Sequence, residues 1–181
     1  MQLSDGEKLI INMLADLYDK LEVKGDIDAE FVRSAINKDH AWGIAWEYSG
    51  IPLDDKTPEL VSEVVDILDM WSIIEFSCKE LDSDNKEMFA ENFPSGVLPK
   101  FIGFDGNNES KYLSATKFLV EDLKRFEEFK DRDFNSHLRK LENYRKIFKK
   151  FESIRSQSYD GKLSFEQLLH IFNLEPNQAH R

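Results

Sequence analysis

The stretch that decides the fold is TPELVSEVVDILDMWSIIEFSCKEL, residues 57–81. It begins with Thr57 before Pro58, an N-cap residue followed by a proline in the first helical turn. Its first turns carry a single apolar stripe, but from residue 67 to residue 78 apolar side chains spread around most of the circumference. A helix that is apolar nearly all round is buried by neighbours on several sides. We therefore expect an all-α, multi-helical array of about seven helices around a central buried helix.

Helix signals also lie on both sides of this stretch. Ser4 and Glu7 have the spacing of a capping box, and apolar residues then recur at helical intervals to residue 21. Asp26 or Asp28 can cap a short helix that ends near Ile36. Further helices are predicted at residues 38–48, 108–129, 135–154 and 162–172. Residues 83–107 lack helical periodicity and contain several Pro and Gly, so we expect a long loop there, within a single helical domain of residues 1–181.

Composition excludes several classes of protein. The chain has 181 residues, a formal net charge of −11 and 41% hydrophobic residues, which is typical of a folded, soluble domain. Residues 1–107 carry 9 basic and 23 acidic side chains, and residues 108–181 carry 15 and 12, so the two portions should attract. The single cysteine, Cys78, lies in an apolar stretch and indicates a buried, reduced thiol. No apolar run is long enough for a membrane span, and we expect a cytoplasmic protein.

Four strings of sequence resemble the signature of the YfbU family. They are EVVDILDMW at 63–71, FIGFDGNNE at 101–109, FLVEDL at 118–123 followed by Arg125 and Phe126, and RDFNSH at 132–137 leading to Tyr144 and Arg145. The similarity extends over residues 9–174. The resemblance implies a bacterial, cytoplasmic, all-helical protein that forms oligomers, in a family without an established biochemical activity.

Two polar segments are candidate ligand or interface sites. The first contains Asp105, Asn107, Asn108 and Glu109, and the second contains Arg132, Asn135 and His137, with Arg145 further on. Backbone N–H groups at such helix entrances can bind an anion, but side chains of these types more often cap the helix themselves. If residues 109–129 form one helix, about 30 Å long, and the next helix returns antiparallel, the two segments lie at opposite ends of a hairpin. A symmetric interface between two copies would then bring them together.

Glu75, His40 and His137 are the candidate catalytic residues. Glu75 falls on the core side of the central helix, so it needs a partner, for which we expect Arg125 or Arg145. The alternative is a general base in an apolar cleft. His40 lies in a short segment with Trp42, Trp46 and Glu47, which predicts either a ligand pocket or, more commonly, a buried aromatic core. His137 is more often a structural donor than a catalyst.

No metal or cofactor is predicted. The four histidines have no paired spacing with carboxylates, which argues against zinc. A resemblance to a calcium loop around residues 156–167 fails because serines stand where carboxylates should coordinate. Basic residues at positions 139–150 lie mostly opposite an apolar stripe, which indicates a solvated face that could dock on an acidic surface of another subunit.

These observations favour a non-enzymatic, self-associating interaction or scaffold protein, because no nucleophile, base and oxyanion set can be assembled from the motifs. The expected partner is a second copy of the chain, another protein partner is compatible, and no membrane partner is expected. The alternative is an enzyme or small-ligand-binding protein with a cleft near Glu75 and residues 105–109. A third, less favoured hypothesis is association with nucleic acid through the basic face of residues 139–150.

Overall fold

The computed structural model describes residues 3–50, 56–93, 96–155 and 161–174. Within these ranges the chain forms α-helices and no β-strand, which confirms the all-α fold. The helices are α1 (Asp5–Lys20), α2 (Ala29–Asn37), α3 (Trp42–Glu47), α4 (Glu59–Glu80), α5 (Ser83–Asn92), α6 (Ser110–Lys117), α7 (Leu141–Arg155) and α8 (Phe165–Phe172). A π-helical turn at Phe118–Asp122 and a 3-10 turn at Glu127–Phe129 follow α6. No helix of the described residues is long and apolar enough to cross a membrane.

The chain divides into two compact units. Unit 1 comprises Met1–Ser62 and Ser114–Lys130, and unit 2 comprises Glu63–Leu113 and Asp131–Arg181. The core of unit 1 surrounds Phe118, whose ring packs against Phe31, His40 and Trp42. The core of unit 2 is a cluster of buried rings (Trp71, Phe101, Phe104, Phe134, Tyr144). A single domain over residues 1–181 stays a prediction beside this division.

The helix ends agree with the capping signals in the sequence. Ser4 accepts from the backbone N–H of Glu7, and the Glu7 carboxylate accepts from the backbone N–H of Ser4, so the predicted capping box of α1 is confirmed. The same reciprocal pair forms between Ser164 and Gln167 at the start of α8. Asp28 caps α2 through the N–H of Phe31. Local side-chain chemistry therefore fixes these three starts.

The helix α4 is buried along most of its length, as the sequence predicts. Its buried apolar side chains include Val61, Val64, Ile67, Leu68, Met70, Trp71, Ile74 and Cys78. The apolar residues predicted to surround α4 between positions 67 and 78 are not all buried. Phe76 is 46% exposed, and the Lys162 ammonium group lies 5.2 Å from the centroid of its ring. Burial raises the pKa of the Cys78 thiol to about 12, so Cys78 is an inert core residue.

The second half of the chain differs from the prediction in three places. Residues 83–107 are not all loop, because Asp82 accepts from the N–H of Asn85 and starts α5, whose Phe89 is fully buried. The predicted helix at 108–129 ends as an α-helix at Lys117, and the chain then reverses through left-handed backbone at Lys124 and Phe126. The predicted helix at 135–154 begins only at Leu141. The antiparallel hairpin expected from these two helices is therefore wrong.

Candidate functional site

The two polar segments that were predicted to lie at opposite ends of a hairpin lie side by side in unit 2. The N–H of Phe104 donates to the Phe134 carbonyl at 2.8 Å, and the N–H of Ser136 donates to the Phe104 carbonyl at 3.1 Å. These bonds form an isolated parallel bridge between Phe104 and Asn135. The break after α6 makes this pairing available, because it returns residues 132–137 to residues 103–106 as extended backbone rather than as a helix.

Gly103 allows this close approach. Its φ is +83°, a left-handed conformation that glycine adopts without steric cost, and a Cβ built on it would lie 1.8 Å from the Phe134 carbonyl oxygen. The hydroxyl of Tyr144 donates to the Gly103 carbonyl at 3.0 Å and ties the paired segments to α7.

Asp105 is a cap within its own turn. One carboxylate oxygen accepts from the N–H of Asn107 at 2.9 Å, and the other accepts from the side-chain amide of Asn108. The Asn108 amide, followed by the Asn107 N–H, lowers the pKa of Asp105 below its ordinary value of 3.8. The side-chain oxygen of Asn108 (Oδ1) accepts in turn from Arg139 at 2.7 Å. The anion-binding capacity of the turn is therefore taken up by its own side chains.

Glu109 closes the N-terminus of another helix. Its side chain is buried at 8% exposure, and it accepts from the backbone N–H groups of Lys140 at 3.0 Å, Leu141 at 2.9 Å and Asp105 at 3.0 Å. Leu141 is the first residue of α7 and Lys140 directly precedes it. The N–H groups at this end have no partner within the helix. The carboxylate supplies these partners and opposes the positive end of the helix dipole.

Asn135 and His137 belong to the same turn system. The side-chain oxygen of Asn135 (Oδ1) accepts from the N–H of Gly106 at 3.0 Å and from the N–H of His137 at 3.1 Å. His137 itself is exposed and has left-handed backbone, with φ of 54°. The structure thus places Asn135 as a connector between the two segments.

Glu75 is bound by Arg132, and not by Arg125 or Arg145 as the sequence suggested. Glu75 is 6% exposed, and its two oxygens accept from the guanidinium of Arg132 at 2.8 and 2.9 Å. One of them also accepts from the N–H of Phe101 at 2.8 Å. This bidentate geometry is the strong form of an ion pair between arginine and a carboxylate.

Arg145 has different partners. Its guanidinium donates to Glu63 at 2.6 Å and to Glu142 at 2.6 Å, and it reaches the hydroxyl of Tyr112, which donates to Glu63. The bond from Arg145 is the main reason why the pKa of Glu63 lies below its ordinary value of 4.5. Arg145 therefore joins α4 and α7 in unit 2 rather than serving the paired polar segments.

His40 and the two neighbouring tryptophans form part of the core of unit 1. The imidazole contacts the hydroxyl of Ser114 at 2.9 Å through Nε2, and Nδ1 accepts from the Trp42 indole at 3.3 Å. The Trp46 indole donates to Thr57 at 2.9 Å. These partners favour the core interpretation of this segment over a ligand pocket.

Burial predicts a pH dependence at His40. Desolvation is the main cause that lowers the pKa of His40 below its ordinary value of 6.5. The unfolded chain therefore takes up a proton near pH 6.5 where the folded protein resists it, and stability present above that pH is lost as the pH falls. We expect the urea midpoint to fall between about pH 7.5 and about pH 5.5, and to fall less in His40→Gln.

The exposed His137 provides the matched control for this experiment. His137→Gln should retain the pH dependence of the parent protein, because His137 is exposed. An equal fall of the midpoint in His40→Gln and in the parent protein would contradict the assignment to His40.

The sequence did not predict a cavity in unit 2 of about 360 Å³, part of whose lining comes from Trp71 and Ile147. Two basic side chains of α7, which the sequence placed on a solvated face, also line it (Lys146, Lys150). The signal available in the sequence was the i, i+4 spacing of these lysines around Ile147. Glu75, Asp105 and Glu109 do not line this cavity.

In the described parts of the chain, no three His, Cys, Asp or Glu side chains come together as metal ligands would. The calcium-loop resemblance falls on residues 156–167, of which 156–160 lie outside the described residues. The carboxylates of Glu75, Asp105 and Glu109 thus each accept several internal hydrogen bonds within unit 2.

The described residues form an all-helical protein, and its sequence carries the four strings that resemble the YfbU signature. The chain belongs to the YfbU family, because the model of the YfbU domain matches residues 1–174. UPF0304 protein MJECS11 of Methanocaldococcus jannaschii is 36% identical to it over 125 residues, which cover 66% of this chain and 70% of the relative. No solved structure matches the chain significantly.

Proposed function

We propose that this protein is a non-enzymatic interaction protein that associates with itself through the exposed apolar face of α1. The observation that carries the proposal is a row of six apolar side chains that face solvent, which we call the α1 stripe: Leu9, Ile10, Met13, Leu14, Leu17 and Leu21. Each is between 50% and 70% exposed. A continuous apolar face of this kind marks a site of interaction.

The charges near the α1 stripe favour an apolar partner over a charged one. The stripe itself contains no charged residue. Lys8 of α1 pairs with Asp39, and Asp16 pairs with Arg33 at 2.8 Å, so these charged side chains of α1 already have partners within unit 1. What α1 offers to a partner is therefore apolar area.

A second copy of the chain fits this area. An exposed aliphatic side chain offers on the order of 100 Å² of apolar surface, as its burial energy implies. Two copies of the α1 stripe would together bury on the order of 1,000 Å², the size at which specific interfaces begin. A two-fold axis lets the same patch serve both copies, so no further surface is required.

Two of the three candidate catalytic residues, Glu75 and His40, support the non-enzymatic part of the proposal. Glu75 is held by Arg132 and Phe101, and His40 lies against Ser114 and Trp42. A general base must reach a substrate proton, whereas these groups are committed to internal bonds. A cytoplasmic location belongs to the same proposal, since a free buried thiol at Cys78 suits a reducing compartment.

Replacing Leu14 with aspartate tests the α1 stripe. Sedimentation velocity over a range of about 1 to 100 μM should show association of the parent protein and a monomer for Leu14→Asp. An unpaired charge buried in an apolar interface costs about 3 kcal/mol or more, which raises the dissociation constant at least about 100-fold. Leu17→Asp should behave in the same way.

Gly50→Asp is the matched control. It adds the same charge to unit 1 at an exposed glycine whose added Cβ would meet nothing within 4 Å. It should associate like the parent protein. A parent chain that remains monomeric at every concentration, or a Leu14→Asp variant that associates as well as Gly50→Asp does, would overturn the proposal.

A further inference from the structure

The cavity in unit 2 has the size and wall chemistry of a ligand site. Its volume of about 360 Å³ lies at the lower end of the range of pockets that bind small molecules, roughly 300 to 1,000 Å³. Apolar side chains from three helices form its walls, among them Trp71 of α4, Ile147 of α7 and Phe172 of α8. Because all of its lining residues belong to unit 2, the cavity is complete within that unit.

Trp71 lines this cavity, and its indole carries a buried hydrogen-bond donor. The side chain is 97% buried, and its indole Nε1 has no hydrogen-bond partner among the described residues. The other two indoles of the chain differ, since Trp42 donates to His40 and Trp46 donates to Thr57. Because Nε1 is almost inaccessible to solvent, a ligand in the cavity would contact the Trp71 side chain without bonding to this donor, and the indole N–H serves as a nearby reporter of binding.

Among the described residues, four lysines surround the apolar walls and no acidic side chain is part of the lining. Three of them, Lys100, Lys140 and Lys146, form no ion pair with any carboxylate of the described residues. The fourth, Lys150, donates to the side chain of Asn173 and to the carbonyl of His170. In a chain with a net charge of −11, such a group of uncompensated ammonium charges around one cavity favours an anion.

We propose that this cavity binds a small organic anion with an apolar body and a carboxylate or phosphate head. The apolar walls, Trp71 among them, would hold the body, and the ammonium groups of Lys100, Lys140 and Lys146 would face the head. A bare phosphate leaves the apolar walls unused, and a neutral hydrophobe leaves the lysines unused. A nucleic acid does not fit a cavity of this size. The inference is independent of self-association through the α1 stripe.

The three indole N–H signals in a proton–nitrogen correlation spectrum of the full chain provide a local test. The signal of Trp71 is identified by its loss in Trp71→Phe. Octanoate and 1-naphthoate serve as aliphatic and aromatic probes, titrated to about 10 mM because ligands of this size bind in the millimolar range. We expect the Trp71 signal to shift saturably with at least one of the probes, and the Trp42 and Trp46 signals to stay in place.

Two comparisons separate this site from nonspecific binding. Lys146→Ala should weaken binding about fivefold, whereas Lys149→Ala, on the same helix but outside the lining, should leave it unchanged. Octylamine and acetate, which lack the anionic head and the apolar body respectively, should not shift the Trp71 signal. The proposal is overturned if neither octanoate nor 1-naphthoate shifts that signal, if octylamine shifts it equally, or if Lys146→Ala binds like Lys149→Ala.

Discussion

Replacing Arg132 with alanine is expected to lower the free energy of unfolding by about 3 kcal/mol, because it leaves the carboxylate of Glu75 buried without its counter-ion. Glu75 is only 6% exposed, and after the substitution its carboxylate keeps the hydrogen bond from the N–H of Phe101 but has no counter-ion among the described residues. Removal of one partner of a buried ion pair costs more than the pair contributes, since the desolvated charge stays behind. The measurement is urea unfolding of the parent protein and of Arg132→Ala at neutral pH.

A double-mutant cycle isolates the pair. Glu75→Gln removes the charge but keeps a side-chain oxygen that can accept from Phe101. We expect Glu75→Gln/Arg132→Ala to be more stable than the sum of the single losses predicts, with a coupling energy of about 1.5 kcal/mol or more. Additive losses would show that Arg132 acts through packing and not through Glu75.

Arg125→Ala is the matched control, because Arg125 was one of the two partners, with Arg145, that the sequence suggested. Arg125 is exposed, so its loss should change the free energy of unfolding by less than about 0.5 kcal/mol. A loss in Arg125→Ala equal to that in Arg132→Ala would contradict the assignment of the ion pair.

The sequence predicts those parts of the fold that depend on neighbouring residues. The capping boxes at Ser4 and Ser164 and the burial of α4 follow from local spacing and apolar pattern, and the structure confirms them. The helix α5 was missed because its apolar residues show little periodicity, although the capping signal of Asp82 before Asn85 was present. A cap without an amphipathic pattern is a weak signal of a helix.

The break after α6 has no signal in the local sequence. Residues 118–126 contain no glycine or proline, and yet Lys124 and Phe126 adopt left-handed backbone with φ near 52° and 53°. Such backbone is unfavourable for these residue types, so tertiary packing must outweigh the local preference. Phe118, Leu119, Val120 and Phe129 are all buried, which provides that packing.

The sequence identified the residues of the two polar segments, but it did not predict which groups these residues contact. Residues 105–109 and 132–137 were recognised as polar helix entrances. The first segment provides the cap of α7 through Glu109, whereas the second forms a turn in which Asp133 accepts from the N–H of Asn135. Their pairing through Phe104 and Asn135 joins segments about 30 residues apart, and no periodicity in either segment encodes such a contact. The same reason explains why Arg132 was not identified as the partner of Glu75, since the identity of a charged residue does not tell which carboxylate it reaches.

Glu109→Ala is expected to lower the free energy of unfolding by about 3 kcal/mol, because it removes an acceptor from three backbone N–H groups at once. Two of these N–H groups belong to Lys140 and Leu141 at the start of α7, and the third belongs to Asp105. The side chain is buried, so water cannot easily replace the lost bonds. The loss should appear both as a lower urea midpoint and as faster amide hydrogen exchange in the first turn of α7.

Two further variants decide whether Glu109 acts as a cap through its acceptor oxygens. Glu109→Gln keeps one oxygen for Lys140 and Leu141 but places an amide donor against the N–H of Asp105, so about half of the loss should remain. Glu142→Gln removes an exposed carboxylate from the same first turn of α7 and should cost less than about 0.5 kcal/mol. If Glu109→Ala costs no more than Glu142→Gln does, the turn at residues 105–109 does not serve as the cap of α7. Its buried carboxylate would then have to be explained by a ligand. We instead expect the loss in free energy of unfolding to be largest for Glu109→Ala, smaller for Glu109→Gln and smallest for Glu142→Gln. This order follows the number of backbone donors that each variant leaves without an acceptor.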